Sequence, residues 1–456
     1  PDIFTKIGNM ANQAKPRPLL LEKKPIEFVK PSKYTKPCGN LSLSTLDNNP
    51  INEAMYAYIY VFQANENNQT DPVSLLRKAL SDLLLYYYPI SGRLMRRKSD
   101  GKLQLVCNGE GVPFAVATVD HDLCSLNYIE NFSDEVAMQL VPDLEVDFQS
   151  DIGCHPISLQ VTKFSCGGFT IGIAVTHALC DGYGIATIFN ALTELARGKS
   201  EPSVVPVWQR ERLVEKIDDE PAKVPGADNE GLLATSPYMP SSDMVTETVN
   251  IMAEKIKKLK DTVVIKERVT TFEILCAYIW KTASRALKLN LDGITVLNIT
   301  VGIRHVLDPP LAKGYYGNAY LDVYVEITAR ELEESSISDI IKLVKRAKNI
   351  SLDKSYIEED LRNTERLMKE DVNFQGAADS ILLLTDLRNT GLFNSVDFGW
   401  NDPVNIWPLT PQEKSSNLGI IMKPSNLDPS MEGGAKVVMT LPRDAMVNFK
   451  KEMVDI

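Results

Sequence analysis

A stretch without regular hydrophobic spacing divides this chain of 456 residues near its middle. Between Gly198 and Met244 the residues are rich in proline, serine and acidic side chains, a composition typical of a connection between domains. On both sides of it, segments with helical spacing alternate with short β-branched runs. The pattern predicts an α/β protein with two comparable domains at residues 10–200 and 245–456, joined by a crossover linker at 201–244.

Local signals predict the elements around the best candidate site. Asp71 and Pro72 are typical of a helix start, and the apolar run at 169–176 predicts a buried central strand. A helix is predicted at 184–197. Thr270 and Glu273 form the pattern of a capping box, and Ser338 is expected to cap a later helix.

Composition excludes several classes of protein. The net charge of −11 argues against a nucleic-acid-binding protein. No apolar stretch reaches the roughly 18–20 residues that a membrane helix needs. The seven cysteines are scattered, odd in number and without a CxxC pair, so they indicate neither a disulfide framework nor a zinc site. We expect a cytoplasmic protein with no metal, no membrane anchor and no nucleic-acid partner.

One of the four histidines has a setting that favours catalysis. His177 ends the predicted central strand and precedes Asp181 at the start of a helix, and such strand-to-helix turns commonly hold reactive groups in α/β proteins. A histidine titrates near neutral pH, as a general base must. HxxxD alone is a weak pattern, because His177 could be structural and Asp181 a simple helix N-cap. GxSxG, P-loop, GxGxxG and HExxH patterns do not occur in the sequence.

Two further segments predict stiff loops near the site. Arg304 precedes a loop that contains two prolines and the sequence GYYGN at 314–318, and a buried arginine needs an anionic partner. The sequence DFGWN at 397–401, with Asp397, Gly399 and Trp400, predicts a fixed turn whose role is structural.

Six segments together resemble the plant BAHD acyltransferases. They are LSTLD at 43–47, YYPISGRL at 87–94, QVT with CGG at 160–168, HALCD at 177–181, GYYGN at 314–318 and DFGW at 397–400. They occur in the family's order over roughly 400 residues, and their forms are most similar to the branch of benzyl-alcohol benzoyltransferases and taxane acyltransferases. One position departs from the family, because Asn401 stands where DFGWG ends in glycine.

The resemblance implies a fold like that of chloramphenicol acetyltransferase, in which each domain is a mixed β-sheet flanked by helices. A channel between the domains would admit acyl-CoA from one face and the acceptor from the other. His177 would act as general base, with no covalent intermediate, no permanently bound cofactor and a monomeric enzyme. Asp181 would be a structural acid held by an ion pair, and Arg304 is a candidate partner for Asp181 or Asp397.

The expected reaction moves an acyl group from acyl-CoA to a hydroxyl of a small plant specialised metabolite. The acyl group would be aromatic, such as benzoyl or cinnamoyl, or acetyl. One alternative is an N-acyltransferase that forms an amide from an amine, and another is an inactive member that acts as a binding partner. A helix N-terminus attracts phosphate, so we expect CoA near Thr270, Thr271 and Trp400.

Overall fold

The computed structural model describes residues 19–35, 39–130, 132–142, 147–148, 150–216, 218–223, 232–370, 379–393, 396–409 and 417–454. Met10, which opens the first predicted domain, lies outside them. The strands in the described part of the chain are β1 Leu21–Lys23, β2 Glu27–Val29, β3 Asn40–Ser42, β4 Met55–Phe62, β5 Arg93–Arg96, β6 Leu103–Val106, β7 Val112–Val119, β8 Ile157–Phe164, β9 Phe169–Thr176, β10 Met244–Ile251, β11 Ile294–Gly302, β12 Tyr320–Thr328, β13 Ile381–Asp386, β14 Asn405–Leu409, β15 Asn417–Met422 and β16 Ala435–Pro442.

The α-helices alternate with these strands along the chain. They are α1 Pro72–Leu83, α2 Asp134–Ala137, α3 Gly182–Ala196, α4 Ala253–Asp261, α5 Thr271–Ala286, α6 Ala329–Glu334, α7 Ile337–Ile350, α8 Lys354–Glu370 and α9 Arg443–Val454. Asp71 caps α1 as predicted. The prediction that Ser338 caps a helix is wrong, because Ser336 accepts the hydrogen bond from the backbone of Asp339 and α7 begins two residues earlier.

Two mixed sheets form the centres of the molecule. The first runs in the order β1-β7-β8-β9-β4-β14, with β2 also beside β7, and the second runs β10-β16-β15-β13-β11-β12. A small sheet of β3, β6 and β5 adjoins them. Only the β7–β8, β11–β13 and β13–β15 pairs among the described strands are parallel. This confirms the predicted α/β class with mixed sheets.

Each large sheet has its own apolar core. In the first, side chains of β4 and β9 pack with α1 and α3. In the second, side chains of β11 and β16 pack with α5, α7 and α9. Alternate residues of each strand enter the core, as the two-residue period of a strand requires. In the first sheet the other face of β4 and β9 is also covered, because Ile59, Val61 and Ala174 belong to a further apolar cluster.

Strand β14 departs from a simple division of the chain. It lies in the second half of the sequence but pairs antiparallel with β4, with Trp407 opposite Ile59, and so forms the edge of the first sheet. The domain boundaries at 200 and 245 stay a prediction. With these boundaries, the second domain contributes β14 to the sheet of the first domain. Sequence periodicity detects a strand but not the sheet that it joins.

Two further observations bear on composition. No helix among the described residues is long and apolar enough to cross a membrane. Cys107 is disulfide-bonded, although the scattered cysteines indicate no disulfide framework. The spacing of cysteines in the sequence does not reveal which of them the fold brings together.

Candidate active site

His177 is held by its backbone on both sides. It follows the last residue of β9, and its N–H donates to the carbonyl of Ala54 at 3.0 Å. Its own carbonyl accepts from Nδ2 of Asn318 at 2.7 Å. The first contact comes from the first domain and the second from the loop before β12, so both halves of the molecule position this residue.

The imidazole of His177 lies between two tyrosine rings. Tyr56 and Tyr320 meet it edge-on, with ring centroids at 4.9 Å and 5.6 Å. Nδ1 is buried and has no hydrogen-bond partner among the described residues. Burial lowers the pKa of His177, and the nearby charge of Asp181 offsets part of this effect. The ring is therefore neutral near pH 7 and able to accept a proton.

Asp181 is saturated with hydrogen bonds. Its Oδ1 accepts from the backbone of Gly184 at 2.9 Å, which caps α3, and its Oδ2 accepts from the backbone of Ala319 at 3.1 Å. Arg304 donates to both oxygens, at 2.8 Å and 2.7 Å. No hydrogen bond among the described residues joins this carboxylate to the ring of His177.

The Asp181–Arg304 pair is largely shielded from water. Burial alone would raise the pKa of Asp181, but Arg304 and the backbone donors outweigh it and lower the pKa below its ordinary value. Arg304 also donates to the carbonyl of Gly317 at 2.6 Å and lies over the ring of Tyr183. Of its two candidate partners, Arg304 therefore binds Asp181, and it ties α3 to the loop before β12.

A second buried ion pair was missed by sequence reasoning. Arg210 lies within the predicted linker, yet it is 1% exposed and donates to Oδ2 of Asp47 at 2.5 Å. Its other terminal nitrogen donates to the carbonyl of Leu179, inside the HxxxD turn, at 2.8 Å. Rings of Trp208, Tyr315 and Tyr316 surround its guanidinium.

Asn318 connects this second pair to His177. Oδ1 of Asp47 accepts from both the backbone and the side chain of Asn318, at 3.0 Å and 2.8 Å, while the same side chain holds the carbonyl of His177. A Cβ at Gly317 would come within 2.4 Å of the guanidinium of Arg210, so this position requires glycine. The segments LSTLD, HALCD and GYYGN thus meet in one network.

The DFGWN segment lies away from His177. Trp400 is buried against Phe169, the first residue of β9, with ring centroids at 5.1 Å. Phe169 and Thr176 are seven positions apart, which places the two ends of the strand roughly 23 Å apart. Trp400 therefore lies at the end of β9 remote from the base, and its expected contact with CoA stays a prediction.

The turn itself is well determined. Asp397 pairs with Arg197 at 2.5 Å and accepts from the backbone of Gly399 at 2.6 Å. Gly399 and Asn401 both have positive φ, at +105° and +66°. Asparagine tolerates this left-handed conformation better than most residues, so the turn is kept without the family glycine.

Thr270 and Thr271 begin α5 as predicted. The side chain of Thr270 accepts from the backbone of Glu273, and the carboxylate of Glu273 accepts from the backbone of Thr270, which completes the capping box. A surface depression of about 450 Å³ adjoins this helix start, and Lys260 and Arg268 contribute to its walls. Cations beside a helix N-terminus suit a phosphate.

Comparisons with known proteins agree with this architecture. Residues 19–456 match the Transferase family. The chain is 66% identical to a spermidine coumaroyl-CoA acyltransferase of Arabidopsis thaliana, over 97% of each chain. It is 52% identical to a spermidine sinapoyl-CoA acyltransferase of the same plant, over 96% of this chain and 97% of the relative. It is 31% identical to a taxadien-5-alpha-ol O-acetyltransferase of Taxus chinensis, over 91% and 92%.

A solved structure shows the same fold. The crystal structure of vinorine synthase aligns with a TM-score of 0.74 at 21% identity and covers 95% of this chain and 98% of its own. The family match spans most of the chain, and the relatives are named as acyltransferases over nearly their whole length. The chain therefore belongs to the plant BAHD acyltransferases of the Transferase family, and it is an acyltransferase that takes acyl-CoA as co-substrate.

Proposed function

We propose that this enzyme transfers a hydroxycinnamoyl group from its CoA thioester to an amine of a polyamine such as spermidine. The observation that carries the proposal is the 66% identity to a spermidine coumaroyl-CoA acyltransferase over 97% of both chains. The second spermidine relative, at 52%, supports the same acceptor. We therefore propose an amine as the acceptor, in place of the hydroxyl that the motifs favoured. Those motif forms are shared with taxane acyltransferases, which are far less similar to this chain.

His177 is the proposed general base. The neutral imidazole accepts a proton from the acceptor nitrogen while that nitrogen forms a bond to the thioester carbonyl carbon. The carbon–sulfur bond of the resulting tetrahedral intermediate then breaks. The CoA sulfur leaves with the electron pair and takes the proton back from His177, so the products are an amide and free CoA. The burial that keeps His177 neutral is the property that this role needs.

Asp181 and Arg304 are positioning residues in this proposal. The carboxylate has its hydrogen-bonding capacity taken up by Arg304 and two backbone donors, so it is not available to the substrate. The pair holds the turn after β9 against the loop before β12. Asp47, Arg210 and Asn318 hold the opposite side of the same turn.

The phosphates of CoA are proposed to lie near the start of α5. The start of α5 at Thr271 and the cations of Lys260 and Arg268 border the same depression, which Glu267 also lines. Lys260→Ala and Arg268→Ala should each raise the KM for acyl-CoA and leave the KM for the acceptor unchanged. An unchanged KM for acyl-CoA in both variants would remove this placement.

A hydroxyl acceptor is the second candidate function. The similarity to a Taxus O-acetyltransferase over about nine-tenths of both chains supports it, and the same base would serve. The intact His177 and Asp181 argue against an inactive binding partner. We further propose that the enzyme acts as a cytoplasmic monomer, which size-exclusion chromatography would test for its oligomeric state.

The deciding experiment measures products with the purified enzyme. Coumaroyl-CoA is incubated with spermidine, octylamine or benzyl alcohol, and the products are identified by mass spectrometry alongside thiol release. The proposal expects amides with spermidine and little ester, and His177→Ala is the control for uncatalysed transfer. Ester formation without amide would select the second candidate, and no product with any acceptor would contradict both.

A further inference from the structure

A stripe of polar side chains extends from the base along strand β12. Tyr320, Asp322 and Tyr324 alternate with Val323 and Val325, which enter the core of the second sheet, so the three polar residues share the opposite face. Residues two apart on a strand are separated by roughly 6.6 Å. The stripe begins at Tyr320, whose ring contacts His177, and so leads away from the reacting centre.

The neighbouring strand β11 continues this face. Thr300 lies opposite Asp322 and Asn298 lies opposite Tyr324 in the antiparallel register, and directly opposed residues point to the same side. Asn298 is 6% exposed, and its Oδ1 has no hydrogen-bond partner among the described residues. A buried acceptor without a donor is costly. Its position beside Asp322 therefore points to a ligand that supplies N–H groups.

Helix α8 carries a second carboxylate, Asp360, which interacts electrostatically with Asp322. Asp360 is half-buried like Asp322, and in the described part of the chain neither has an ion-pair partner. Burial raises the pKa of Asp322 to about 6. Burial, and then the charge of Asp322, raises the pKa of Asp360 to about 7. The charge of Asp322 therefore acts on Asp360, and both carboxylates are partly shielded from water.

Aromatic rings complete the surroundings. Burial and then the charge of Asp322 raise the pKa of Tyr56 to about 12, and the same causes raise the pKa of Tyr320 and Tyr324. Burial, and then the charges of Asp360 and Asp322, raise the pKa of Tyr356 on α8. Tyrosine faces attract ammonium groups as carboxylates do. The charge of Asp322 thus acts on Tyr56, Tyr320, Tyr324 and Tyr356, and no salt bridge to Asp322 or Asp360 occurs among the described residues.

We propose that Asp322, Asp360 and Oδ1 of Asn298 form a subsite that binds a non-reacting ammonium group of the polyamine acceptor. The ammonium group has three donors for the three acceptors, and its charge offsets the repulsion between the two carboxylates. The spacing from Tyr320 to Asp322 suits nitrogens that are separated by three or four carbons, so a second nitrogen reaches His177. This inference rests on the proposed function and explains why a charged amine is preferred over an alcohol.

Isosteric variants test the subsite. Asp322→Asn and Asp360→Asn should each raise the KM for spermidine about tenfold or more, as expected for loss of a charged hydrogen bond. The KM for coumaroyl-CoA and the KM for octylamine, which has no second ammonium group, should stay unchanged. Glu326→Gln is the matched control, because it removes the same charge at the exposed end of the same strand face. Thermal melting verifies that each variant is folded.

The pH dependence of the wild-type enzyme provides a second readout. The carboxylates bind the ammonium group only when ionised, so the ratio of the KM for spermidine to that for octylamine should rise as pH falls from about 7 to 6. Because the ionisation of His177 affects both substrates, its effect cancels in the ratio of the two KM values. In the Asp322→Asn/Asp360→Asn double variant the ratio should not change with pH.

The outcomes separate this inference from the proposed function. If the wild-type enzyme acylates spermidine and both single variants keep its KM, the subsite is wrong and the function stands. If the wild-type enzyme acylates octylamine as efficiently as spermidine at every pH, the subsite is also wrong. If the wild-type enzyme acylates no amine, the proposed function is wrong, and the subsite, which rests on it, is wrong as well.

Discussion

The turn after β9 and the DFGWN segment both place an aspartate against an arginine, and their surroundings differ. In the Asp181–Arg304 pair the side chains are 9% and 17% exposed, whereas in the Asp397–Arg197 pair they are 25% and 54% exposed. Both acids belong to motifs of the family. The energetic importance of each follows from burial and from the number of donors, because an uncompensated charge is costly only where water cannot reach it.

The same comparison separates structure from chemistry. Asp181 lies four residues from His177 but is bound to Arg304 and two backbone donors, while Asp397 lies beyond the far end of β9. Among the described residues, no hydrogen bond joins either carboxylate to the imidazole of His177. Changes at these positions should therefore affect the melting temperature, and changes at His177 should affect turnover.

The largest effect on activity is expected at His177. His177→Ala should lower kcat by about a hundredfold or more, the lower end for loss of a general base, while the melting temperature stays close to that of the parent. Steady-state kinetics and thermal melting on the same preparation test this. Near-normal turnover of the variant would remove His177 from the chemical step.

The largest effect on stability is expected at Asp181. Asp181→Ala leaves Arg304 without its partner and should lower the free energy of unfolding by about 3–5 kcal/mol. Asp181→Asn should be milder, because asparagine still caps α3, and Arg304→Ala should resemble the alanine variant. Urea unfolding gives these values. If Asp181→Ala unfolds like the parent yet loses as much activity as His177→Ala, then Asp181 acts in the chemical step.

The pH dependence of this contribution has a definite sign. The pKa of Asp181 is lower in the folded protein than its ordinary value of 3.8. Its stabilisation is therefore complete above the ordinary pKa and is lost as the pH falls through the folded value. Below that range the parent and Asp181→Asn should approach each other in stability, a convergence that acid titration of unfolding would detect.

A smaller effect is expected at Asp397. Its pair with Arg197 is partly exposed, so Asp397→Ala should cost about 1 kcal/mol, including the loss of the hydrogen bond that Gly399 donates. Arg197→Ala removes the ion pair and a hydrogen bond to the carbonyl of Asp397 but keeps the bond from Gly399, and it should cost less. A loss at Asp397 as large as that at Asp181 would contradict the contrast between the two regions.

The smallest effect is expected at Asn401. Its φ of +66° is compatible with asparagine and glycine, so Asn401→Gly should change the free energy of unfolding by less than about 1 kcal/mol and leave kcat unchanged. Asn401→Val should be clearly destabilising, since a β-branched residue disfavours this conformation. Equal stability of the two variants would show that the turn does not require positive φ.

Local signals accounted for the elements that position the base. The β9 strand, the Asp181 cap and the Thr270 capping box depend on residues a few positions apart, and all three occur where the sequence predicts them. Arg210 was missed because it lies in a segment without periodicity and its partner Asp47 is 163 residues away. Nothing in the spacing of a linker shows that one of its arginines is buried.

The sequence by itself determined the α/β class, the family and His177 as the candidate base, because each depends on residue types at short spacings or on ordered motifs. Tertiary structure alone decided that β14 joins the first sheet, that Arg304 pairs with Asp181, and that Asn298 of β11 lies opposite Tyr324 of β12. These contacts join segments that are far apart in the chain. Their energies depend on burial and distance, which only the packed structure defines.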